Sequence, residues 1–309
     1  MLQILGITAP IFILIAIGFA SARAGLVNRE QIAGMGKFVI TFALPALVIK
    51  ALLEKPLDEV FDENYLLAYG IASQAVFWLG LLFSRLIRKD SLSGGALNAL
   101  GMSVSNSGFI GYPIVAMVLG PPAAVALALG MLVENLLMIP LALVLAELGR
   151  QSGEGARAAL AGTFKRLLRN PIIIGISIGL ALSLLEVRLP AIPQKLIEML
   201  ALASAPVALF VIGGSLDGLK ARGLFADVAQ LSLGKLILHP LAVLLCFSLL
   251  PAVDPVLRVA GVLFASAPMM SIYPILGQRY GLEGRCAAAL VVATVLSFLS
   301  ISGFIWGLV

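Results

Sequence analysis

Apolar stretches alternate with short polar segments along the whole chain. Each stretch has roughly the 17–25 residues that a helix needs to cross a hydrocarbon layer of ~30 Å. The pattern predicts an all-α polytopic membrane protein with ten transmembrane helices. These cover approximately residues 4–22, 37–53, 64–87, 94–119, 123–146, 170–187, 195–216, 227–250, 255–280 and 284–307.

The first five stretches resemble the last five at a fixed offset of 161 residues. Segments 10–20 and 171–181 are identical at 7 of 11 positions. Three prolines also align: Pro10 with Pro171, Pro45 with Pro206 and Pro113 with Pro274. Five crossings per repeat is an odd number, so the second repeat must be inverted, as in many secondary transporters. The sequence therefore predicts a five-helix repeat over residues 1–146 and an inverted five-helix repeat over residues 170–309.

The distribution of basic residues predicts the topology. Charged residues make up 12% of the chain, against about 25% in an average soluble domain. The net charge is +5, but Lys and Arg lie in short loops between apolar stretches, which disfavours nucleic acid as a partner. Fifteen of them lie in odd-numbered loops and four in even-numbered loops. This bias predicts cytoplasmic odd loops and both termini on the extracytoplasmic side.

Residues 147–169 are predicted to form a basic cytoplasmic linker between the two repeats. The sequence contains no phosphate-binding loop, which disfavours a pump that hydrolyses its own ATP. Cys246 and Cys286 both lie in apolar stretches and indicate neither a disulfide nor a metal framework. We therefore expect neither a cofactor nor a metal site.

Stretches four and nine contain Ser, Gly and Pro in their middles. Gly111 and Pro113 in stretch four and Pro274 in stretch nine disfavour a regular helix. They predict two broken helices that cross near the bilayer midplane, where exposed backbone and half-helix ends can bind a solute. The alternative is a pair of kinks in which small residues allow close packing.

The segment Asn106-Ser-Gly-Phe-Ile-Gly-Tyr-Pro113 resembles the crossover motif of the auxin efflux carrier family. Ala267-Pro268 and Arg279-Tyr280-Gly281 are similar to the ninth span of that family. The likeness covers essentially the whole chain. Plant carriers commonly have proline where Ser105 stands, and many have a long hydrophilic loop in place of the short linker, so the resemblance is to bacterial-type members.

The resemblance implies a secondary active transporter of small organic anions, such as malate, malonate or auxin-like acids, that works by elevator-type alternating access. It also implies a scaffold of helices 1, 2, 6 and 7, a transport domain of helices 3–5 and 8–10, a homodimer and a bacterial inner membrane. The substrate-binding residues expected at the crossover are Asn106, Ser107, Gly108, Pro268, Met269 and Ser271.

Four polar residues inside the stretches are candidates for coupling transport to a proton or to sodium. Glu134, followed by Asn135, lies near the centre of stretch five, where a charged group costs about 2.5–3.5 kcal/mol. It could carry a proton or bind a cation, or form a structural hydrogen bond. Lys235 and His239 share one face of stretch eight. Lys235 could pair with Glu134, hold a carboxylate or reach the membrane surface, and His239 could relay protons or pack as a neutral residue.

Three other function classes share some of these sequence features. A sodium-coupled symporter of the bile acid type shares the crossed-helix architecture, but its crossover is richer in Glu, Asn and Gln. Around its crossover, over residues 261–272, stretch nine offers only Ser266 and Ser271 as polar side chains. A membrane-embedded enzyme is disfavoured, because the chain has one histidine and two scattered cysteines. A channel or receptor would also be compatible with the repeats.

Overall fold

A computed structural model describes residues 2–54, 62–149, 168–187, 189–216, 225–250, 253–278 and 280–308. Most of the predicted linker (147–169) and Arg279 lie outside the described residues. Within these ranges every regular element is a helix, and the only extended pairing is one isolated β-bridge. The prediction of an all-α fold is confirmed.

Helices occupy all ten predicted stretches. They are α1 (Leu2–Arg23), α2 (Arg29–Leu53), α3 (Glu63–Ile87), α4a (Leu92–Ser103), α4b (Ser107–Leu119), α5 (Pro122–Leu148), α6 (Pro171–Leu184), α7 (Ala191–Ser215), α8 (Phe225–Leu249), α9a (Pro255–Ser266), α9b (Tyr273–Gln278) and α10 (Glu283–Leu308). Among the described residues, six helices are long and apolar enough to cross a membrane: α2, α3, α5, α7, α8 and α10. Stretches one, four, six and nine contain shorter apolar helical segments of 10–17 residues. In α1 this segment is Phe12–Arg23.

Four prolines inside the helices follow wide π turns, whereas Pro10 of α1 and Pro206 of α7 lie in regular α-helix. Four such turns end two residues before a proline. They are Val39–Ala43 before Pro45, Ser107–Gly111 before Pro113, Val133–Met138 before Pro140 and Gly234–Leu238 before Pro240. Proline has no N–H to donate and its ring crowds the carbonyl one turn earlier, and a turn with one extra residue relieves that clash. The helix therefore continues through these prolines.

The interruption of stretch four lies earlier than the sequence predicts. Segment 104–106 is non-helical, whereas Gly111 ends the π turn of α4b and Pro113 lies in regular helix. In stretch nine the interruption covers residues 267–272, and Pro274 is the second residue of α9b. Proline is tolerated in a first helical turn, because its missing N–H would have no partner there. These three residues therefore follow the interruptions and do not form them.

The helices pack in two groups. Helix α1 packs on α7, α6 packs on α2, and α2 also contacts α7. In the other group α3 contacts α4a and α8, α4a contacts α5, and α10 contacts α8 and α9b. The groups meet where α4b contacts α1 and α7, and where α2 contacts α5.

Glycines allow two helix pairs of the first group to touch closely. A Cβ atom on Gly18 of α1 would lie 2.1 Å from the Phe210 carbonyl oxygen of α7. A Cβ atom on Gly179 of α6 would lie 3.2 Å from the Cα of Ile49 in α2. The offset of 161 residues aligns Gly18 with Gly179 and Ile49 with Phe210. The two helix pairs therefore make the same contact with exchanged partners.

A group of charged side chains, the Arg285 cluster, joins the ends of several helices of the second group. Arg285 lies 3.1 Å from an Asp90 oxygen and 3.4 Å from an Asp227 oxygen. Arg88 also pairs with Asp227, and the Asn98 amide of α4a donates to Asp90 at 3.1 Å. These residues come from, or adjoin, odd-numbered loops of both repeats. The fold therefore brings three of those loops to one side of the bundle.

Candidate functional site

The interruptions of stretches four and nine meet inside the protein. Ser105 and Met269 form an isolated antiparallel β-bridge, and the backbone N–H of Asn106 donates to the carbonyl of Pro268 at 2.7 Å. Ser105, Asn106 and Met269 are almost completely buried. Each interruption therefore supplies hydrogen-bond partners to the other, which satisfies backbone groups that a break would otherwise expose to a hydrocarbon environment.

The predicted substrate-binding residues all lie at this crossing. The Asn106 side-chain amide donates to the Ser271 hydroxyl at 2.8 Å, so one polar side chain from each interruption is paired with the other. Ser107 begins the π turn of α4b. Gly108 faces the first helix group, since a Cβ atom there would lie 2.7 Å from Leu44 of α2.

Glu134 lies against the start of α4b. The backbone N–H of Ser105 and the hydroxyl of Ser107 donate to its Oε1 atom at 3.1 and 2.9 Å, and the Tyr69 hydroxyl lies 3.5 Å away. The side chain is 3% exposed. The N-terminal end of a helix carries partial positive charge, which favours a carboxylate at this place.

Lys235 lies against the end of α9a and is completely buried. Its ammonium donates to the carbonyl of Ala265, in the last turn of α9a, and lies 2.9 Å from Nδ1 of His239. The other ring nitrogen of His239 lies 3.0 Å from the Ser73 hydroxyl. A helix C-terminus carries partial negative charge, so an ammonium is favoured there. The structure thus buries Lys235 and does not let it reach the membrane surface.

Tyr69 lies between the acidic and the basic parts of the site. Its hydroxyl approaches Glu134, and its ring meets the His239 ring edge-on at 5.8 Å between centroids. Among the residues that the structure describes, no ion pair within 4.0 Å joins Glu134 to Lys235. Sequence reasoning did not select Tyr69 or Ser73. These two residues carry polar groups one helical turn apart in the otherwise apolar stretch three, and that spacing was the sequence signal for a shared polar face.

Asn135 faces away from this site. Its amide donates to the Met131 carbonyl, and its oxygen accepts from the Asn170 amide at 2.9 Å. The Asn170 side chain caps the start of α6. Asn135 therefore connects α5 with the first helix group, whereas its neighbour Glu134 faces the crossing.

A cavity of about 370 Å³, the Lys50 cavity, lies between the two helix groups. Its wall includes Lys50 of α2, Tyr112 and Pro113 of α4b and Ser204 of α7. Gly108 lies one helical turn from Tyr112, so the cavity begins about one turn from the crossing. The wall is otherwise mostly apolar, and Lys50 is its charged side chain.

Comparison with known proteins identifies the family. The chain matches the family described as "Membrane transport protein" over residues 4–305. It is 30% identical over 308 residues to a Rhizobium meliloti (strain 1021) protein named "Putative malonate transporter", covering 99% of this chain and 96% of that protein.

Two further relatives are more distant. A protein of Escherichia coli (strain K12) named "Uncharacterized transporter YfdV" is 24% identical over 299 residues, covering 96% of this chain and 94% of that protein. A Mus musculus protein named "Lysosomal cholesterol signaling protein" is 26% identical over 258 residues, covering 79% of this chain and 29% of that protein. The chain belongs to the membrane transport protein family, the auxin efflux carrier family that its crossover residues indicate.

Proposed function

We propose that this protein is a secondary active transporter of small organic anions, mono- or dicarboxylates such as malonate, malate or auxin-like acids. The observation that carries the proposal is the buried antiparallel contact between the two interrupted helices, with Asn106 and Ser271 paired across it. Family membership supports transport. The relative named for malonate supports a carboxylate substrate.

The substrate binds where the two interruptions meet. Asn106 and Ser271 now satisfy each other, and both can turn a donor toward a carboxylate. Ser107 and the backbone at Gly108 lie at the start of α4b, where a helix N-terminus attracts anions. On the other side of the contact, the backbone of Pro268 and Met269 completes the pocket.

Glu134 is the main candidate for ion coupling. It contacts Ser105 and Ser107 directly, so a charged carboxylate there would repel an anionic substrate. Its protonation, or compensation by a nearby cation, would remove that repulsion. Lys235 and His239 lie at the opposite interruption, where the positive charge of Lys235 offsets the charge of Glu134 and of the anionic substrate.

Two observations support the ten-helix inverted repeat. The contact of Gly18 with Phe210 is repeated by Gly179 and Ile49 with exchanged partners, as a two-fold axis requires. The bridge between Ser105 and Met269 is antiparallel, which is the direction that a two-fold axis in the membrane plane produces. From this arrangement and the basic loops we propose that both termini lie outside the cytoplasm of a bacterial cell and that the protein lies in the inner membrane.

The two helix groups correspond to a scaffold (α1, α2, α6 and α7) and a transport domain (α3–α5 and α8–α10). Gly108 faces Leu44 across their boundary, where a small residue lets the domains slide past each other. The Lys50 cavity opens along the same boundary and provides an access path on which a cation attracts the substrate. We further propose that the scaffold forms a homodimer, so that only the transport domains move.

Uptake by the purified protein in liposomes tests the function. Wild type should accumulate labelled malonate or a related carboxylate under an imposed proton or sodium gradient. Asn106→Ala should lower the initial rate at least ~10-fold, because a hydrogen bond to a charged group contributes about 1.5–3 kcal/mol. Asn135→Ala is the control, since that amide faces α6, and it should retain most of the uptake. Equal rates for Asn106→Ala and wild type would disprove the site.

A further inference from the structure

The ammonium of Lys235 lies where an interrupted membrane helix would otherwise present unsatisfied carbonyl groups. Helix α9a ends at Ser266, and the ammonium contacts the carbonyl of Ala265, one residue earlier. The last carbonyls of a helix have no N–H partner within it. In transporters with broken helices, such ends coordinate sodium ions or protons.

The neighbouring polar groups also favour a cation at this place. The Ser266 carbonyl accepts from the Ser300 hydroxyl of α10 at 3.3 Å, and the Pro268 carbonyl accepts from the Asn106 N–H. His239 contacts the ammonium from one turn further along α8. Glu134 lies at the other interruption, against Ser105 and Ser107, and is the acidic side chain of the crossing. The environment around Lys235 therefore offers partial negative charge and carbonyl oxygen.

The complete burial of the Lys235 side chain argues against a role at the membrane surface. The residue lies in the π turn Gly234–Leu238 and is completely buried, whereas lysines that reach the surface keep their ammonium in water. Burying an ammonium in a membrane protein is costly unless polar groups compensate it. Its contacts with Ala265 and His239 supply that compensation, which fixes the ammonium at the end of α9a.

We propose that the Lys235 ammonium takes the place of a metal cation at the α9 interruption, so that the protein transports its anion without sodium. The proposal rests on the transport function proposed above and addresses which ion that function requires. It follows that removing the side chain leaves a vacant cation site. Small primary ammonium ions, which reproduce the end of the lysine side chain, should bind there.

Thermal unfolding of purified protein tests the vacant site without any transport. Wild type, Lys235→Ala and Lys50→Ala are heated in choline, sodium or propylammonium chloride. Lys235→Ala should unfold several degrees below wild type in choline, and propylammonium should restore much of the difference. Wild type and Lys50→Ala should respond equally to the three salts, because neither has the vacancy. A response of Lys235→Ala to propylammonium no larger than that of wild type would overturn the proposal.

Two further measurements keep the proposal testable if Lys235→Ala does not fold. Lys235→Met fills the volume without the charge and should not respond to propylammonium, so a response equal to that of Lys235→Ala would contradict a specific vacancy. Wild-type protein should show the same unfolding temperature and the same uptake rate with sodium or choline. Sodium dependence of either would contradict the proposal, whereas uptake of no carboxylate would count against the transport function alone.

Discussion

Replacing Gly213 by alanine is expected to lower the unfolding temperature by several degrees and to reduce the amount of folded protein in the membrane. A Cβ atom at this position would lie 1.8 Å from the carbonyl oxygen of Ile15 and 2.8 Å from the backbone N of Phe19. No side-chain rotation can relieve a clash with backbone atoms. Helices α1 and α7 would have to move apart, at a cost at or above the upper end of the ~1–3 kcal/mol range for overpacking.

Moving α1 away from α7 should lower the stability of the protein strongly, because membrane helices associate mainly through close packing. Lipid tails are as apolar as the helix surfaces, so small residues that let backbones approach provide much of the association energy. Gly18 makes the reciprocal contact with Phe210 in the same helix pair, and Gly18→Ala should behave like Gly213→Ala.

Gly303→Ala is the matched control for these substitutions. It lies in α10, and a Cβ atom there meets nothing within 4 Å. Alanine is a better helix former than glycine by about 1 kcal/mol, so this variant should be as stable as wild type or slightly more stable. Unfolding followed by intrinsic fluorescence in detergent measures all three variants. A Gly213→Ala protein as stable as Gly303→Ala would contradict the packing of α1 on α7.

Replacing Glu134 by glutamine is expected to reduce carboxylate uptake at least ~10-fold while leaving the protein folded. Glutamine keeps an oxygen that can accept from the Ser105 N–H and the Ser107 hydroxyl, so the contacts that shape the crossing survive. It cannot carry a negative charge or exchange a proton. A tenfold lower rate corresponds to only ~1.4 kcal/mol of activation free energy, so loss of the group that exchanges the proton should lower uptake by at least that factor.

The control for Glu134→Gln is Glu147→Gln. Glu147 is a second buried carboxylate on α5, near the end of the helix, where it accepts from the Tyr280 hydroxyl at 2.8 Å. It lies far along the helix from the crossing, so its substitution should leave uptake near the wild-type rate. Initial rates under the same gradient, with unfolding temperatures measured in parallel, compare the two. If Glu134→Gln transports like Glu147→Gln, the carboxylate has a structural role only.

The apolar pattern was sufficient to place the helices, because each stretch must satisfy its own backbone within the membrane. The places where two helices are interrupted were not predicted as accurately. Pro113 and Pro274 strongly disfavour regular helix in general, yet both lie within the helices that follow the interruptions, Pro113 six residues after the start of α4b and Pro274 one residue after the start of α9b. The non-helical residues 104–106 are stabilised by hydrogen bonds to residues 162 to 165 positions away, and local sequence contains no signal for those contacts.

Residue spacing along the helices predicted one part of the site correctly and another part wrongly. The spacing of Lys235 and His239 indicated a shared face, and the structure does bring them together. Glu134 and Asn135 were grouped as neighbours in sequence, but adjacent helical residues point in different directions, and only Glu134 faces the crossing. A proline follows two residues after four of the five π turns in the described residues, and it is the local signal that could locate such turns in related sequences.

Access to Ser271 from both sides of the membrane tests the central claim most directly. The claim is that the crossing of α4 and α9 forms a binding site that opens alternately to each side. Ser271→Cys is introduced into a chain whose native cysteines are replaced, Cys246→Ala and Cys286→Ala, and membrane-impermeant thiol reagents are added to right-side-out and inside-out vesicles. The account predicts modification in both preparations, slowed by the transported carboxylate. Modification from one side only, or from neither, would contradict it.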